Sequence, residues 1–254
     1  MPSQLALFLL LFLMVELLTA WPYGHIALAR HLTELLPLSW WQIVTTFGDA
    51  RWPLAFALLL ALRDRQILWV YLLALLLGWL SVRGMKLWFH IPRPGTLLPA
   101  LDIALTANEA KGHNSFPSSH VMVAFSFVTV LAHYKSQRWL WGALGGAFLI
   151  AFSRIGIGAH WPIDVLGGAL VGVLSASLAA FCVRRSGYTP GSRSQLVLMI
   201  LVAAAVATMP WIDSGYLHTR VLRMIAAGLG MLAVGLQVIR RDVLVNKRGS
   251  CSGC

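Results

Sequence analysis

Apolar runs long enough to cross a bilayer recur along most of this chain, and they constrain its fold more than any other feature. About 17–25 such residues span a hydrocarbon core as a helix, and in lipid only helices and closed barrels satisfy their own backbone. Eight spans are predicted: Leu5–Ala20, Trp52–Leu62, Ile67–Phe89, Ser119–His133, Trp139–Phe152, Ile163–Val183, Leu196–Trp211 and Val221–Ile239. The second is short and must borrow residues from the Phe47–Arg51 side or run past Arg63. Trp21, Trp52, Trp69, Trp139, Trp161 and Trp211 lie at span ends, where an interfacial aromatic belt belongs. The mixed stretch Trp21–Asp49, with Trp40-Trp41 beyond Pro37, reads as an interfacial or re-entrant segment. The first run follows Met1–Gln4, which carries no Lys or Arg, so a retained helix is expected rather than a cleaved signal. The fold class that follows is all-α, a polytopic transmembrane helical bundle.

Composition agrees. Hydrophobic residues make up 58% and charged residues 11%, which excludes a soluble globule, a disordered chain and a coiled coil. The net charge of +11 would ordinarily point to nucleic acid or an anionic surface. Here the charges fall between apolar runs, so nucleic acid is not expected as a partner. With the N-terminus in the cytoplasm, eleven of the 20 basic residues fall on the cytoplasmic side: Arg63, Arg65, Lys135, Arg138, Arg184, Arg185, Arg193, Arg240, Arg241, Lys247 and Arg248. That is the positive-inside direction. Gly142-x-x-x-Gly146 and Gly168-x-x-x-Gly172 have the small-residue spacing that permits close helix packing. Cys182 reads as a small apolar residue, and Cys251-x-x-Cys254 lacks the partners a metal or redox site needs.

Against this background a few polar residues stand out. They lie in Lys86-Leu-Trp-Phe-His-Ile-Pro-Arg93-Pro94, in Phe116-Pro117-Ser118-Ser119-His120, and in Ser153-Arg154-Ile-Gly-Ile-Gly-Ala-His160-Trp-Pro-Ile-Asp164. Alternating the spans puts all three on the non-cytoplasmic face. Lys86, Arg93 and Arg154 are cations at a low-dielectric boundary, where an uncompensated charge is expensive. A phosphate would satisfy several at once. Ser118 or Ser119 can cap a helix start, and a helix N-terminus is an anion site that would set His120 beside its ligand. If the sixth span begins at Pro162, Asp164 can bond one nitrogen of His160 and leave the other as base or nucleophile. The set reads as a phosphoryl-transfer constellation.

These spacings resemble the type-2 phosphatidic acid phosphatase superfamily, whose signature is Lys-x6-Arg-Pro, Pro-Ser-Gly-His and Ser-Arg-x5-His-x3-Asp. Lys86, Arg93 and Pro94 match the first part, and Ser153, Arg154, His160 and Asp164 match the third. The second reads Pro117-Ser118-Ser119-His120, with Ser119 at the family's Gly. The resemblance implies a six-helix phosphatase core over residues 1–183, with about two extra C-terminal helices and a cytoplasmic tail over 184–254. It implies catalysis without metal or other cofactor. His160 would be the nucleophile that forms a phosphohistidine, Asp164 its orienting partner, and His120 the acid and then the base. Lys86, Arg93, Ser118, Arg154 and the Ser119 backbone would bind phosphate.

The implied substrate is a phosphorylated membrane lipid, met in a bacterial inner membrane with the site facing the periplasm. Undecaprenyl pyrophosphate is the expected one, since a diphosphate suits a cation-rich site. Lipid A phosphate is the rival, and phosphatidylglycerophosphate and phosphatidic acid are further candidates. A lipid phosphotransferase using the same intermediate is an alternative, and an anion transporter is the alternative from another class. The sequence leaves the oligomeric state open.

Overall fold

The computed structural model describes residues 31–32, 34–94, 114–134, 137–212 and 219–251. The expected first span and nearly all of the Gly95–Ser115 loop lie outside the described residues, as do Asp102 and Glu109. The helices are α1 (Leu38–Thr46), α2 (Arg51–Ala61), α3 (Gln66–Phe89), α4 (Ser119–Tyr134), α5 (Gln137–Gly156), α6 (Pro162–Ser186), α7 (Ser192–Ala207) and α8 (Arg220–Cys251). A 3-10 turn, Met209–Trp211, follows α7. Among the described residues there is no strand.

Seven expected spans therefore coincide with helices, with local chemistry setting the ends. Pro162 opens α6 and Gly187, at φ 64°, closes it, a position where glycine carries no Cβ penalty. Gln66–Phe89, Pro162–Ser186, Ser192–Trp211 and Arg220–Arg240 are each long and apolar enough to cross a membrane, while α4 and Leu140–Gly156 are shorter. The stretch read as interfacial or re-entrant contributes α1, bent by 42° from α2. Together α1 and α2 form either a broken span or a re-entrant loop, which supplies the residues that the short second span lacked. α8 runs on past the expected end at Ile239.

The packing is that of a bundle built for lipid: small residues face inward and large apolar ones outward. On α6, Gly167, Gly168, Val171, Gly172, Ser175, Ala176, Ala179 and Ala180 are buried, whereas Leu174, Leu178 and Phe181 are exposed. The closest packing joins α4 to α6. A Cβ on Gly168 would collide with the Ser118 carbonyl oxygen, and one on Gly172 would lie 2.5 Å from that of Met122. Ser126 Oγ donates to the Gly172 carbonyl at 3.2 Å. Gly78 of α3 leaves room instead for the Met122 side chain, whose Sδ would lie 2.5 Å from a Cβ there. Both glycines of the Gly168-x-x-x-Gly172 pair thus serve a backbone-to-backbone contact.

The opposite end of the bundle holds the basic residues expected there. Arg65 donates to the Pro190 carbonyl at 3.3 Å, Arg184 donates to His133 Nδ1 at 2.8 Å, and Arg240 donates to the Leu62 carbonyl. α7 and α8 belong to this packing. Met199, Val202, Val206 and Ala233 share one apolar cluster with Leu58, Ile67, Leu68 and Tyr71, and Trp69 Nε1 donates to Gln195 Oε1 at 2.9 Å.

Gly172→Leu is expected to cost about 3 kcal/mol of stability, read as a lowered thermal unfolding midpoint in detergent. Gly142→Ala, where no atom lies within 4 Å of the new Cβ, is expected to leave that midpoint unchanged.

Candidate active site

The site forms where the C-terminal ends of α3 and α5 meet the N-terminal ends of α4 and α6. Lys86 occupies the last turn of α3. Its Nζ donates to the carbonyls of Asn114 at 2.7 Å and Ser115 at 3.3 Å. His90, at φ 48°, ends the helix in the left-handed region, and the chain continues through Ile91, Pro92 and Arg93. Two bonds fasten this strap to the other motifs. The Ile91 carbonyl accepts from Ser115 N at 2.7 Å, and the Pro92 carbonyl accepts from Trp161 Nε1 at 2.9 Å.

The second segment carries its own tie to the third: Ser118 N donates to the Asp164 carbonyl at 2.9 Å. The structure refines the expected cap. α4 begins at Ser119, but the buried Ser118 hydroxyl makes no hydrogen bond in the structure, so it does not cap the helix. Buried hydroxyls are usually satisfied, which sets this one apart. Ser119 and His120 form the first turn.

The third segment is the most buried. Ala159 N and His160 N both donate to the Arg154 carbonyl, at 3.1 and 3.2 Å, and Gly158 makes the turn at φ 67°. Asp164, in the first turn of α6, reaches back to accept from Trp161 N at 2.8 Å, the way an acidic third residue stabilises a helix start. The same Oδ2 accepts from Ser115 Oγ and lies 3.3 Å from His160 Nδ1. Ser115 Oγ is itself 3.4 Å from that nitrogen. When Nδ1 carries the proton it faces Asp164, and Nε2 is left as the basic nitrogen. His160 is 2% exposed and Asp164 fully buried. Arg154, 2% exposed, donates through Nη1 to Thr45 Oγ1 at 2.8 Å.

Two adjoining cavities open at this end. A polar one of about 310 Å³ is lined by Arg83, Lys86, Arg93, Asn114 and Ser119, with Trp79 and Val82. A larger one of about 480 Å³ is lined by His120 with Leu75, Leu76, Met122 and Val123, and by Gly48–Ala50. Trp79 and Ser119 line both.

Each motif residue picked out in the sequence therefore lies at one end of the bundle. Lys86, Arg93 and Ser119 share the polar cavity, His120 faces the apolar one, and Ser118, Arg154, His160 and Asp164 are buried beneath. Ser153 is buried too, its hydroxyl donating to the Ile150 carbonyl at 2.6 Å. Exposed His90 turns to its own backbone, 3.3 Å from the Trp88 carbonyl. Sequence reasoning missed Ser115, Asn114 and Thr45. A lone hydroxyl or amide carries no pattern, and only proximity to Phe116-Pro117 could have flagged Ser115.

Comparison with known proteins is consistent with this geometry. Residues 67–188 match the PAP2 superfamily. The bacitracin transport permease protein BcrC of Bacillus licheniformis is 52% identical over 65 residues, which cover 25% of this chain and 30% of that protein. An undecaprenyl-diphosphatase of Sulfolobus acidocaldarius is 43% identical over 61 residues, covering 23% of this chain and 28% of its own. These matches span less than a third of either relative's length. The crystal structure of Aquifex aeolicus LpxE superposes with a TM-score of 0.56 at 27% identity, covering 62% of this chain and 94% of that one.

Trp161→Phe deletes the indole donor to Pro92 while keeping an aromatic ring. It is expected to lower stability by about 1 kcal/mol, measured by thermal unfolding in detergent.

Proposed function

We propose that this multi-pass membrane protein is a lipid phosphatase of the PAP2 superfamily, whose family model residues 67–188 match. The observation that carries the reading is the pair of adjoining cavities, one cationic and one apolar, joined at Ser119 and Trp79. An amphiphile with a phosphate head and a hydrocarbon chain fits both. Lys86, Arg93 and Arg154 would hold the phosphoryl oxygens together with Ser118, whose buried hydroxyl is unpartnered, and the N–H groups of the first turn of α4. Such fixed donors stabilise charge that develops in the transition state.

The reaction then runs in two steps. His160 Nε2 attacks phosphorus and the bond to the lipid oxygen breaks. His120 gives that oxygen its proton, so the lipid leaves as an alcohol or, from a diphosphate, as a monophosphate. Asp164 stabilises the proton held on His160 Nδ1 throughout. His120, now basic, takes a proton from water; the water oxygen attacks the phosphohistidine, and inorganic phosphate is released. No step needs a metal. The preferred substrate is undecaprenyl pyrophosphate. Its terminal phosphate suits the cations, and the name of the Sulfolobus relative agrees. Lipid A phosphate and phosphatidylglycerophosphate are the rivals, and transfer to a second lipid is the alternative fate of the intermediate. With the positive-inside rule fixing orientation, the site faces the periplasm.

His160→Ala and His120→Ala are each expected to lower phosphate release from lipid phosphates in detergent by at least about 100-fold, with vanadate inhibiting the parent protein and chelators leaving its rate unchanged. Full activity in either variant overturns the assignment. A panel of undecaprenyl pyrophosphate, phosphatidylglycerophosphate, phosphatidic acid and lipid A phosphate ranks the substrates. Phosphate label appearing on a second lipid instead of in solution would favour the transferase.

A further inference from the structure

The bend between α1 and α2 lies outside residues 67–188 and outside all three motifs, yet it touches two of them. Trp41 of α1 packs against the turn after α5, in a cluster with Ile157 and Ala159. Gly156 leaves room for it: a Cβ there would lie 2.8 Å from the indole. One turn further along α1, Thr45 is buried and its Oγ1 accepts from Arg154 Nη1 at 2.8 Å. At the bend itself Gly48 is buried. A Cβ on it would lie 2.8 Å from His120 Cδ2 and 2.9 Å from Ile150 Cγ2. One short segment thus contacts the loop that carries His160, a buried cation and the Cβ and Cδ2 of the second histidine.

We propose that this α1–α2 elbow is part of the active site, with Thr45 a positioning residue for Arg154 and Gly48 the floor against which the His120 imidazole is seated. The inference rests on the roles given above to Arg154 and His120. The physical argument is geometric. A guanidinium projects five N–H donors in one rigid plane, so fixing one of them at Thr45 fixes the direction of the rest. An imidazole that must give and then take a proton at one place needs its ring plane held, and a side chain at position 48 would push it aside. Misplacement by about 1 Å is enough to cost about 100-fold in rate. Asp49 stabilises the bend locally, accepting from Arg51 N at 2.9 Å and from Arg51 Nη1 at 3.0 Å.

The test compares Thr45→Val, Thr45→Ser and Gly48→Ala in the full chain, assayed for kcat and KM on a lipid phosphate and for inhibition by vanadate. Thr45→Val keeps the shape and loses the acceptor. It is expected to lower kcat/KM about 10- to 100-fold and to weaken vanadate inhibition in parallel, because Arg154 would contact the anion. Thr45→Ser restores both to within about threefold. Gly48→Ala is expected to lower kcat by a similar factor with KM and vanadate inhibition little changed, because His120 moves protons. All rates are taken per folded protein, with unfolding midpoints measured alongside. Should Thr45→Val not fold, Thr45→Cys, a weaker acceptor of similar size, takes its place with the same expectation. Wild-type kinetics in both Thr45→Val and Gly48→Ala overturn the elbow, as does a loss confined to the unfolding midpoint. Absence of phosphate release by the unsubstituted protein on every lipid tested would instead overturn the phosphatase reading.

Discussion

Everything at the motif-bearing end of the bundle depends on how closely α4 approaches α6. Between helices in lipid there is no hydrophobic driving force, so contact rests on van der Waals fit and hydrogen bonds. Gly168 and Gly172 supply the fit by leaving space for the carbonyls of Ser118 and Met122. That approach is what lets Ser118 N reach the Asp164 carbonyl at 2.9 Å. A single larger residue there would separate the second motif from the third, whatever the chemistry of the residues themselves.

The first motif is brought in by different means. It joins through Ile91, Pro92 and Lys86, bonded to Ser115, Trp161 and the Asn114 and Ser115 carbonyls. Ser115 and Trp161 both also serve Asp164. The carboxylate is therefore a junction as well as the partner of His160. Its Oδ2 takes both of these bonds, from donors supplied by two separate segments, while Oδ1 is buried without a partner. Orientation of His160 and assembly of the three motifs are one structural event.

Much of this was legible in the sequence because apolar length and exact spacing are strong signals. α3 and α6 emerge within a few residues of their expected limits, and His160 stands just before a helix opened by Pro162 as the spacing implied. The elbow was legible only in outline. Trp21–Asp49 reads as interfacial or re-entrant and the second span as needing residues from the Phe47–Arg51 side, but the bounds of α1 and its contacts with Arg154 and His120 do not follow from hydropathy. The Ser118 cap failed for a related reason. Its type and position were right for capping, but its hydroxyl is buried without a partner, and burial is a tertiary property. Thr45 and Ser115 stayed hidden because what matters about each is a partner far away in the sequence.

The two ends of the bundle hold their cations in different ways. At the basic end, Arg240 donates to the Leu62 carbonyl just past α2, and Arg184 Nε to the Ala180 carbonyl within α6 at 3.2 Å. Cations there meet the negative ends of helix dipoles and are compensated by the backbone. At the end that carries the motifs, the N-termini of α4 and α6 meet the C-termini of α3 and α5, so the helix dipoles largely offset one another and the excess positive charge is that of Lys86, Arg93 and Arg154. Asp164 offsets part of it, and Asp49 is already paired with Arg51 at 3.0 Å. On the proposed function, an anion bound in the polar cavity lined by Lys86, Arg93 and Ser119 would offset that charge.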